Sequence, residues 1–142
     1  MGKLRILVAE DAYDMKLMIK TFIGEKYDLI MADNGQQAYE LAISESPDII
    51  ITDVRMPKMN GLDLCLKLRE DEKFKDTPII MMTGINLRDE LPDNFWKKGS
   101  GADEFITKPF EPAELMERIE NVIKRKILKI DEKKSYGKAG YM

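Results

Sequence analysis

Short runs of apolar residues alternate along this chain with segments whose apolar residues recur at helical spacing. Buried strands are typically short apolar runs, whereas repeats at i, i+3, i+4 and i+7 indicate an amphipathic helix. The pattern predicts five strands, at Leu4–Ala9, Asp28–Ala32, Asp48–Thr52, Pro78–Met82 and Glu104–Thr107. Strands that alternate with helices predict an α/β fold, a doubly wound parallel sheet with helices on both faces.

The segments between and after the strands predict five helices. They comprise a first helix with its apolar face at Met15, Met18, Ile19, Phe22 and Ile23, then Gln36–Ser46, Leu62–Arg69, Asp93–Lys98 and a last helix that begins at Pro112. In open sheets of this kind, ligands bind beyond the carboxyl ends of the strands, where the strand order reverses. The residues at those ends are therefore the candidate site.

Carboxylates, a hydroxyl and an ammonium group follow the predicted strands. Glu10 and Asp11 follow the first strand, Asp53 the third, Thr83 the fourth and Lys108 the fifth. Clustered carboxylates repel one another unless a cation shares the site. Glu10 and Asp11 could also simply cap the first helix.

The chain contains no histidine, which excludes Ser-His and Cys-His catalytic pairs and histidine-ligated metals. A metal must then use oxygen ligands, which favours Mg²⁺. A carboxylate beside Mg²⁺ is a nucleophile for phosphoryl transfer. Any phosphohistidine in such a reaction has to come from another protein.

The strand-end motifs resemble those of the response-regulator receivers of two-component signalling. The matching residues are Glu10-Asp11, Asp53-Val54-Arg55-Met56-Pro57 with Gly61, Thr83, and Phe105-Ile106-Thr107-Lys108-Pro109. The resemblance covers about Lys3 to Lys124 and implies a flavodoxin-like sheet of order 2-1-3-4-5.

The resemblance also implies a chemistry. Asp53 is expected to accept a phosphoryl group from a sensor histidine kinase or a histidine phosphotransfer protein. Mg²⁺ is the expected cofactor, bound directly by Asp11, Asp53 and the backbone carbonyl of Arg55, and by Glu10 through water. The chain is then a phosphoacceptor that supports its own phosphorylation and autodephosphorylation rather than an enzyme.

A conformational switch is implied as well. Thr83 resembles the hydroxyl that moves to the phosphoryl group, Lys108 the contact to a phosphoryl oxygen, and Phe105 the aromatic ring that turns inward. The Lys108–Pro109 bond is expected to be cis. Gly84 is expected to leave room for a bulky phosphodonor. Arg55 and Ile85 are expected to flank the site and influence the lifetime of the phosphoaspartate.

Two parts of the chain depart from the usual receiver pattern. The Gly84–Leu91 segment is longer than usual, which leaves the shape of the neighbouring output face open. The apolar face of the last helix continues through Ile127 and Ile130, and the sequence from Asp131 is polar and predicts a flexible end. We therefore expect a receiver domain at 1–125 and, at 126–142, a helix extension with a flexible tail or linker.

The receiver is expected to signal through the surface formed by the fourth helix, the fifth strand and the last helix. Its expected partners are a downstream protein or output domain, or a second copy in a phosphorylation-dependent homodimer. A net charge of −3 gives no overall positive field for nucleic acid, and the lysines from Lys124 to Lys138 read as a solvated tail. The chain has no long apolar run or apolar signal-peptide core, and its single cysteine, Cys65, fits a reducing compartment. We expect a cytoplasmic protein without membrane contact.

Three other functions remain open at this stage. The chain could be the front of a longer regulator whose DNA-binding or enzymatic output domain is missing. It could be an Asp-nucleophile phosphatase, although Arg55 stands where those enzymes carry a second aspartate. It could also be a flavodoxin-like cofactor binder, although no glycine-rich phosphate loop follows the first strand.

Overall fold

The structure is a computed structural model that describes residues 2–84 and 99–139, with side chains up to residue 128. The strands are β1 (Arg5–Ala9), β2 (Asp28–Ala32), β3 (Ile49–Asp53), β4 (Ile79–Gly84) and β5 (Glu104–Lys108). The helices are α1 (Tyr13–Ile23), α2 (Gly35–Glu45), α3 (Gly61–Arg69) and α4 (Pro112–Ala139), with a 3-10 turn at Glu72–Phe74. The helix predicted at Asp93–Lys98 lies outside the described residues, as do Ile85 and the rest of the long segment that follows Gly84.

The five strands form one parallel sheet of order β2-β1-β3-β4-β5, as predicted. Inner strand β1 pairs with β2 and β3, so that Leu7 lies opposite both Ile30 and Ile50. Strand order reverses on either side of β1, because β2 lies on one side and β3 to β5 lie on the other. The carboxyl ends of β1 and β3 therefore border the crevice in which open sheets bind ligands.

Alternate strand residues enter two separate cores. On one face, Leu7 and Ile50 pack with Leu64 and Leu68 of α3 and with Ala38 of α2. The other face is built from residues of β1, β3, α1 and α4, among them Ile6, Val8, Ile51, Ile19, Ile23, Leu115 and Ile119. This explains the isoleucine run of β3, since a strand covered on both faces needs apolar residues at consecutive positions.

The helices that border the site begin in different ways. Asn34 caps α2 by accepting a hydrogen bond from the Gln37 backbone N–H at 2.8 Å. Asn60 caps α3 in the same way, through the N–H of Asp63. The N-cap of α1 is Ala12, with no side-chain cap hydrogen bond. Among the described residues, neither carboxylate of the first acidic pair accepts an N–H from the first turn of α1, so the interpretation of this pair as a simple helix cap is wrong.

Helix α4 is longer than the sheet requires. Its last described contact with the sheet is made by Arg125, whose guanidinium donates to the Asp103 carbonyl oxygen at 3.2 Å and pairs with Glu104. Beyond it, Ile127 and Leu128 are 53% and 59% exposed. The helix continues past Asp131, where the sequence predicted a flexible end; the boundary at residue 125 and the flexibility of the tail stay predictions. Among the described residues, no helix has the length and apolarity to cross a bilayer.

Candidate functional site

The structure brings the ends of β1, β3 and β5 together around one lysine. The Lys108 ammonium donates to Glu10 Oε1 at 2.8 Å and to Asp53 Oδ2 at 3.0 Å. Two acidic residues far apart in sequence are thus joined by a single cation. Of the three side chains, Lys108 is the most accessible, at 23% exposure.

Glu10 is fully buried, and both of its carboxylate oxygens have donors. Oε1 accepts from Lys108, and Oε2 accepts the Ala12 backbone N–H at 3.0 Å. Burial raises the pKa of the Glu10 carboxyl, and the nearby charge of Asp53 adds to the rise. The hydrogen bonds from Lys108 and Ala12 lower that pKa but do not cancel the effect of burial.

The pKa of Lys108 moves against the direction that burial favours. Burial alone would lower it, because the charged ammonium loses water. The hydrogen bonds and charges of Glu10 and Asp53 outweigh this cost and raise the pKa of the lysine. Lys108 is therefore a fixed positive charge beside the Asp53 carboxylate at neutral pH.

Asp11 completes an acidic cluster at the mouth of the site. Carboxylate oxygens of Glu10, Asp11 and Asp53 all lie within 4.8 Å of one another, and Asp11 is exposed to solvent. Carboxylate oxygen is the donor that Mg²⁺ prefers, and Mg²⁺ commonly keeps several waters. An open cluster with one solvent-facing carboxylate fits a partly hydrated ion of this kind.

Thr83, at the end of β4, carries a buried hydroxyl without a hydrogen-bond partner among the described residues. Most buried polar side-chain atoms have a partner, so an orphaned hydroxyl at a site needs an explanation such as an absent ligand. The next residue, Gly84, is exposed, and a Cβ placed on it would meet nothing within 4 Å. That Gly84 leaves room for a bulky phosphodonor stays a prediction.

The β3–α3 loop returns the chain to Asp53. Gly61 donates its N–H to the Val54 carbonyl oxygen at 2.8 Å. A Cβ on Gly61 would lie 2.1 Å from the Asp53 carbonyl oxygen, so only glycine lets α3 begin this close to the strand. The Arg55 side chain is exposed to solvent, and its influence on the lifetime of the phosphoaspartate stays a prediction.

The remaining site residues lie on β5 and just after it. Phe105 is half-buried and packs against the core formed by α2, α3 and their face of the sheet. Its carbonyl oxygen accepts a hydrogen bond from Arg118 of α4 at 3.0 Å. The Lys108–Pro109 peptide bond is cis, which confirms that prediction.

The contact between Lys108 and Glu10 was not predicted. The sequence suggested that Glu10 binds metal through water and that Lys108 binds a phosphoryl oxygen. β1 and β5 are separated by two strands in the sheet, so neither motif spacing nor strand pairing could have indicated the contact. The only sequence signal is that both residues end strands of the same parallel sheet.

Comparison with known proteins decides the family. The family model described as "Response regulator receiver domain" matches residues 6–120, most of the chain. The chain belongs to this family. Its predicted membership in two-component signalling and its flavodoxin-like fold are confirmed.

Curated relatives place similar domains inside larger proteins. The chain is 38% identical to "Histidine kinase P4" of Formosa agariphila over 125 residues, which are 88% of this chain and 9% of the kinase. It is 36% identical to "Probable transcriptional regulator ycf27" of Porphyridium aerugineum over 128 residues, 88% of this chain and 50% of the regulator. The chain thus spans half or less of these relatives.

Solved structures of similar fold include isolated receivers. Chemotaxis response regulator CheY4 of Vibrio cholerae has a TM-score of 0.74 and 26% identity, over 85% of this chain and 99% of that one. The receiver domain of sensor histidine kinase PA1611 from Pseudomonas aeruginosa, solved with a magnesium ion in its active-site cleft, has a TM-score of 0.75 and 25% identity. That comparison covers 86% of this chain and 98% of the solved domain.

Proposed function

We propose that this receiver accepts a phosphoryl group on Asp53 from the phosphohistidine of a sensor histidine kinase or a phosphotransfer protein, in a Mg²⁺-dependent reaction. The observation that carries the proposal is the position of the Asp53 carboxylate, 3.0 Å from the Lys108 ammonium at the carboxyl edge of the sheet. The buried and unpartnered Thr83 hydroxyl supports it, since a phosphoryl oxygen would supply the missing partner.

In the proposed step, a carboxylate oxygen of Asp53 attacks phosphorus. The new O–P bond forms as the N–P bond of the donor breaks, and the donor imidazole leaves neutral after it takes up a proton. Negative charge is spread over the phosphoryl oxygens in the transition state. Lys108 already faces this position with its charge fixed, so it needs little reorganisation to stabilise those oxygens.

Glu10, Asp11 and Asp53, with the Arg55 carbonyl, are the groups that would hold Mg²⁺. When bound, the ion neutralises charge shared by Asp53 and the incoming phosphoryl group. The fit is supported by the purely oxygen donor set and by the magnesium-bound receiver of similar fold. The residues themselves keep Asp53 oriented and keep Lys108 within reach of its carboxylate.

We further propose that Thr83 and Phe105 form the switch. A phosphoryl group on Asp53 would draw the Thr83 hydroxyl toward it and so favour the conformation in which Phe105 is turned inward. Phe105 lies on β5, and its carbonyl is bound to Arg118 of α4, so the change has a direct route to α4. The output surface would comprise β5, α4 and the helix that the sequence predicts at Asp93–Lys98.

The proposed partners are proteins that would bind this output surface. We propose that phosphorylation controls binding of a downstream protein or pairing with a second copy, in the cytoplasm. The alternative is a receiver that begins a longer regulator. It is favoured by the relatives, whose matching domain is half or less of the protein, and by the continuation of α4 beyond its last described sheet contact at Arg125.

Intact-mass measurement tests the central step. Wild-type protein, Asp53→Asn and a control on an exposed helix residue, Asp63→Asn, are incubated with acetyl phosphate with and without Mg²⁺. We expect one added phosphoryl group on wild type and on Asp63→Asn, only with Mg²⁺, and none on Asp53→Asn. Because the chain lacks histidine, an acid-labile adduct cannot be phosphohistidine. Equal labelling of Asp53→Asn and wild type would refute the proposal.

A further inference from the structure

The β3–α3 loop contains a strained turn outside the described acidic cluster. Met59 donates its N–H to the Pro57 carbonyl oxygen at 2.8 Å, which closes a three-residue turn centred on Lys58. Lys58 has a φ of 69°, in the left-handed region that lysine rarely adopts. Turns of this type are rare, and such strain persists only where the surrounding structure enforces it.

The start of α2 provides that enforcement. A Cβ on Gly35 would lie 1.9 Å from the Met59 carbonyl oxygen and 2.8 Å from the Met59 Cβ. Gly35 is buried and its φ is not in the left-handed region, so close approach alone requires glycine here. The Met59 backbone therefore rests directly on the first turn of α2.

Gly35 is itself held firmly in place. Asn34 caps the helix by accepting the Gln37 N–H, and the Gln37 side chain accepts the N–H of the preceding residue, Asp33, at 2.6 Å. Asp33 also forms an ion pair with Lys16 of α1 at 2.5 Å. The β2–α2 junction is thus linked by side-chain contacts to both α1 and α2.

The supported loop is the one that returns from Asp53 to α3. It contains the Arg55 carbonyl proposed to bind Mg²⁺, and it ends at Gly61, where any Cβ would collide with the Asp53 carbonyl oxygen. A displacement at Met59 would be transmitted along this short loop to both groups. Substitution of a group that orients a metal ligand without binding the metal typically lowers the metal affinity by roughly 10- to 100-fold.

We infer that Gly35 is a positioning residue for the phosphorylation site, and that the start of α2 holds the β3–α3 loop in the geometry that Mg²⁺ binding needs. The inference rests on the proposed function, because it assumes that Mg²⁺ binds at the acidic cluster. Gly35 touches neither the ion nor the phosphoryl group and acts only through the loop.

The test compares Gly35→Ala with Ala42→Gly. Ala42 is buried in the same helix away from the loop, so its change weakens the helix by about 1 kcal/mol without inserting a methyl group. Mg²⁺ affinity is measured by titration calorimetry, stability by urea unfolding, and phosphorylation by acetyl phosphate over a range of Mg²⁺ concentrations. Asn34→Ala, which loosens the support without inserting an atom, serves as a second variant in case Gly35→Ala does not fold.

The expected result separates affinity from rate. Gly35→Ala raises the dissociation constant for Mg²⁺ about tenfold, while the phosphorylation rate at saturating Mg²⁺ stays within about twofold of wild type. Asn34→Ala raises the constant by a smaller factor, and Ala42→Gly leaves it unchanged. If Gly35→Ala and Asn34→Ala lower stability but bind Mg²⁺ like Ala42→Gly, Gly35 has a packing role only and the inference is wrong. If wild type itself neither binds Mg²⁺ nor takes up phosphoryl groups, the proposed function fails and the inference fails with it.

Discussion

Lys108 lies between two carboxylates whose surroundings differ. Glu10 is completely buried and has no other cation within hydrogen-bond distance among the described residues, whereas Asp53 borders solvent. A buried charge that loses its partner is costly, because its lost hydration is no longer compensated. The lysine therefore stabilises the two carboxylates as well as facing the proposed phosphoryl position.

Replacing this lysine tests its role as counter-ion. We expect Lys108→Met to lower the free energy of unfolding by roughly 1–3 kcal/mol at neutral pH, less than for a fully buried pair because the ammonium is partly exposed. Added Mg²⁺ should recover much of the loss, since a cation again faces the carboxylates. Thermal unfolding with and without Mg²⁺ measures this. If Mg²⁺ raises the Tm of the variant less than that of wild type, Lys108 is not the counter-ion of these carboxylates.

Cys65 gives a pH-dependent prediction away from the site. Burial raises the pKa of its thiol to about 11, above an ordinary value of 9.0. The unfolded chain thus loses this proton first as pH rises, so the thiol lowers stability between about pH 9 and pH 11. Relative to Cys65→Ala, wild type should lose roughly 1 kcal/mol between pH 8 and pH 10. Urea unfolding of both proteins measures the difference, and an unchanged gap between them would contradict the burial argument.

At the level of elements, Glu10, Asp53, Thr83 and Lys108 lie at or directly after the ends of strands. α3 begins against Asp53 because Gly61 has no side chain, and α2 supports the intervening loop through Gly35. α1, by contrast, begins without a side-chain cap, and its preceding N–H at Ala12 goes to Glu10. The first residues of these three helices therefore lie beside the site, at the carboxyl edge of the sheet.

The cap of α3 offers a local test. Asn60→Ala removes the side-chain oxygen that accepts the Asp63 N–H at 2.8 Å. We expect a loss of about 1 kcal/mol in the free energy of unfolding. Asn60→Asp should retain most of the stability, because a carboxylate also accepts this hydrogen bond. Denaturant titration of the two variants decides, and an equal loss in both would show that the cap contributes nothing specific.

The extension of α4 leads to a prediction about truncation. Arg125 makes the last described contact with the sheet, so a chain that ends at Leu128 keeps the ion pair with Glu104. We expect its free energy of unfolding to lie within about 0.5 kcal/mol of the full chain. A chain that ends at Lys124 loses that pair and should be measurably less stable. A large loss for the chain that ends at Leu128 would show that the tail packs on the domain, against the proposed boundary.

For the whole molecule, most of the fold could be predicted from the sequence. Consecutive isoleucines in β3 required burial on both faces, and a parallel sheet followed from the alternation with helices. Strand ends were predicted within one or two residues. The sequence could not identify contacts that depend on tertiary geometry, such as the ion pair of Lys108 with Glu10 or the packing of Gly35 on Met59. In neither pair do motif spacing or strand pairing indicate the contact.

The most direct test of the account is a crystal structure of the protein with Mg²⁺ and beryllium trifluoride, a stable mimic of a phosphoryl group. We predict the beryllium on an Asp53 carboxylate oxygen, with Lys108 Nζ and Thr83 Oγ1 each within hydrogen-bond distance of a fluoride. Mg²⁺ should lie among Glu10, Asp11 and Asp53. A mimic bound elsewhere, or bound to Asp53 with Thr83 Oγ1 still unpartnered, would contradict the account.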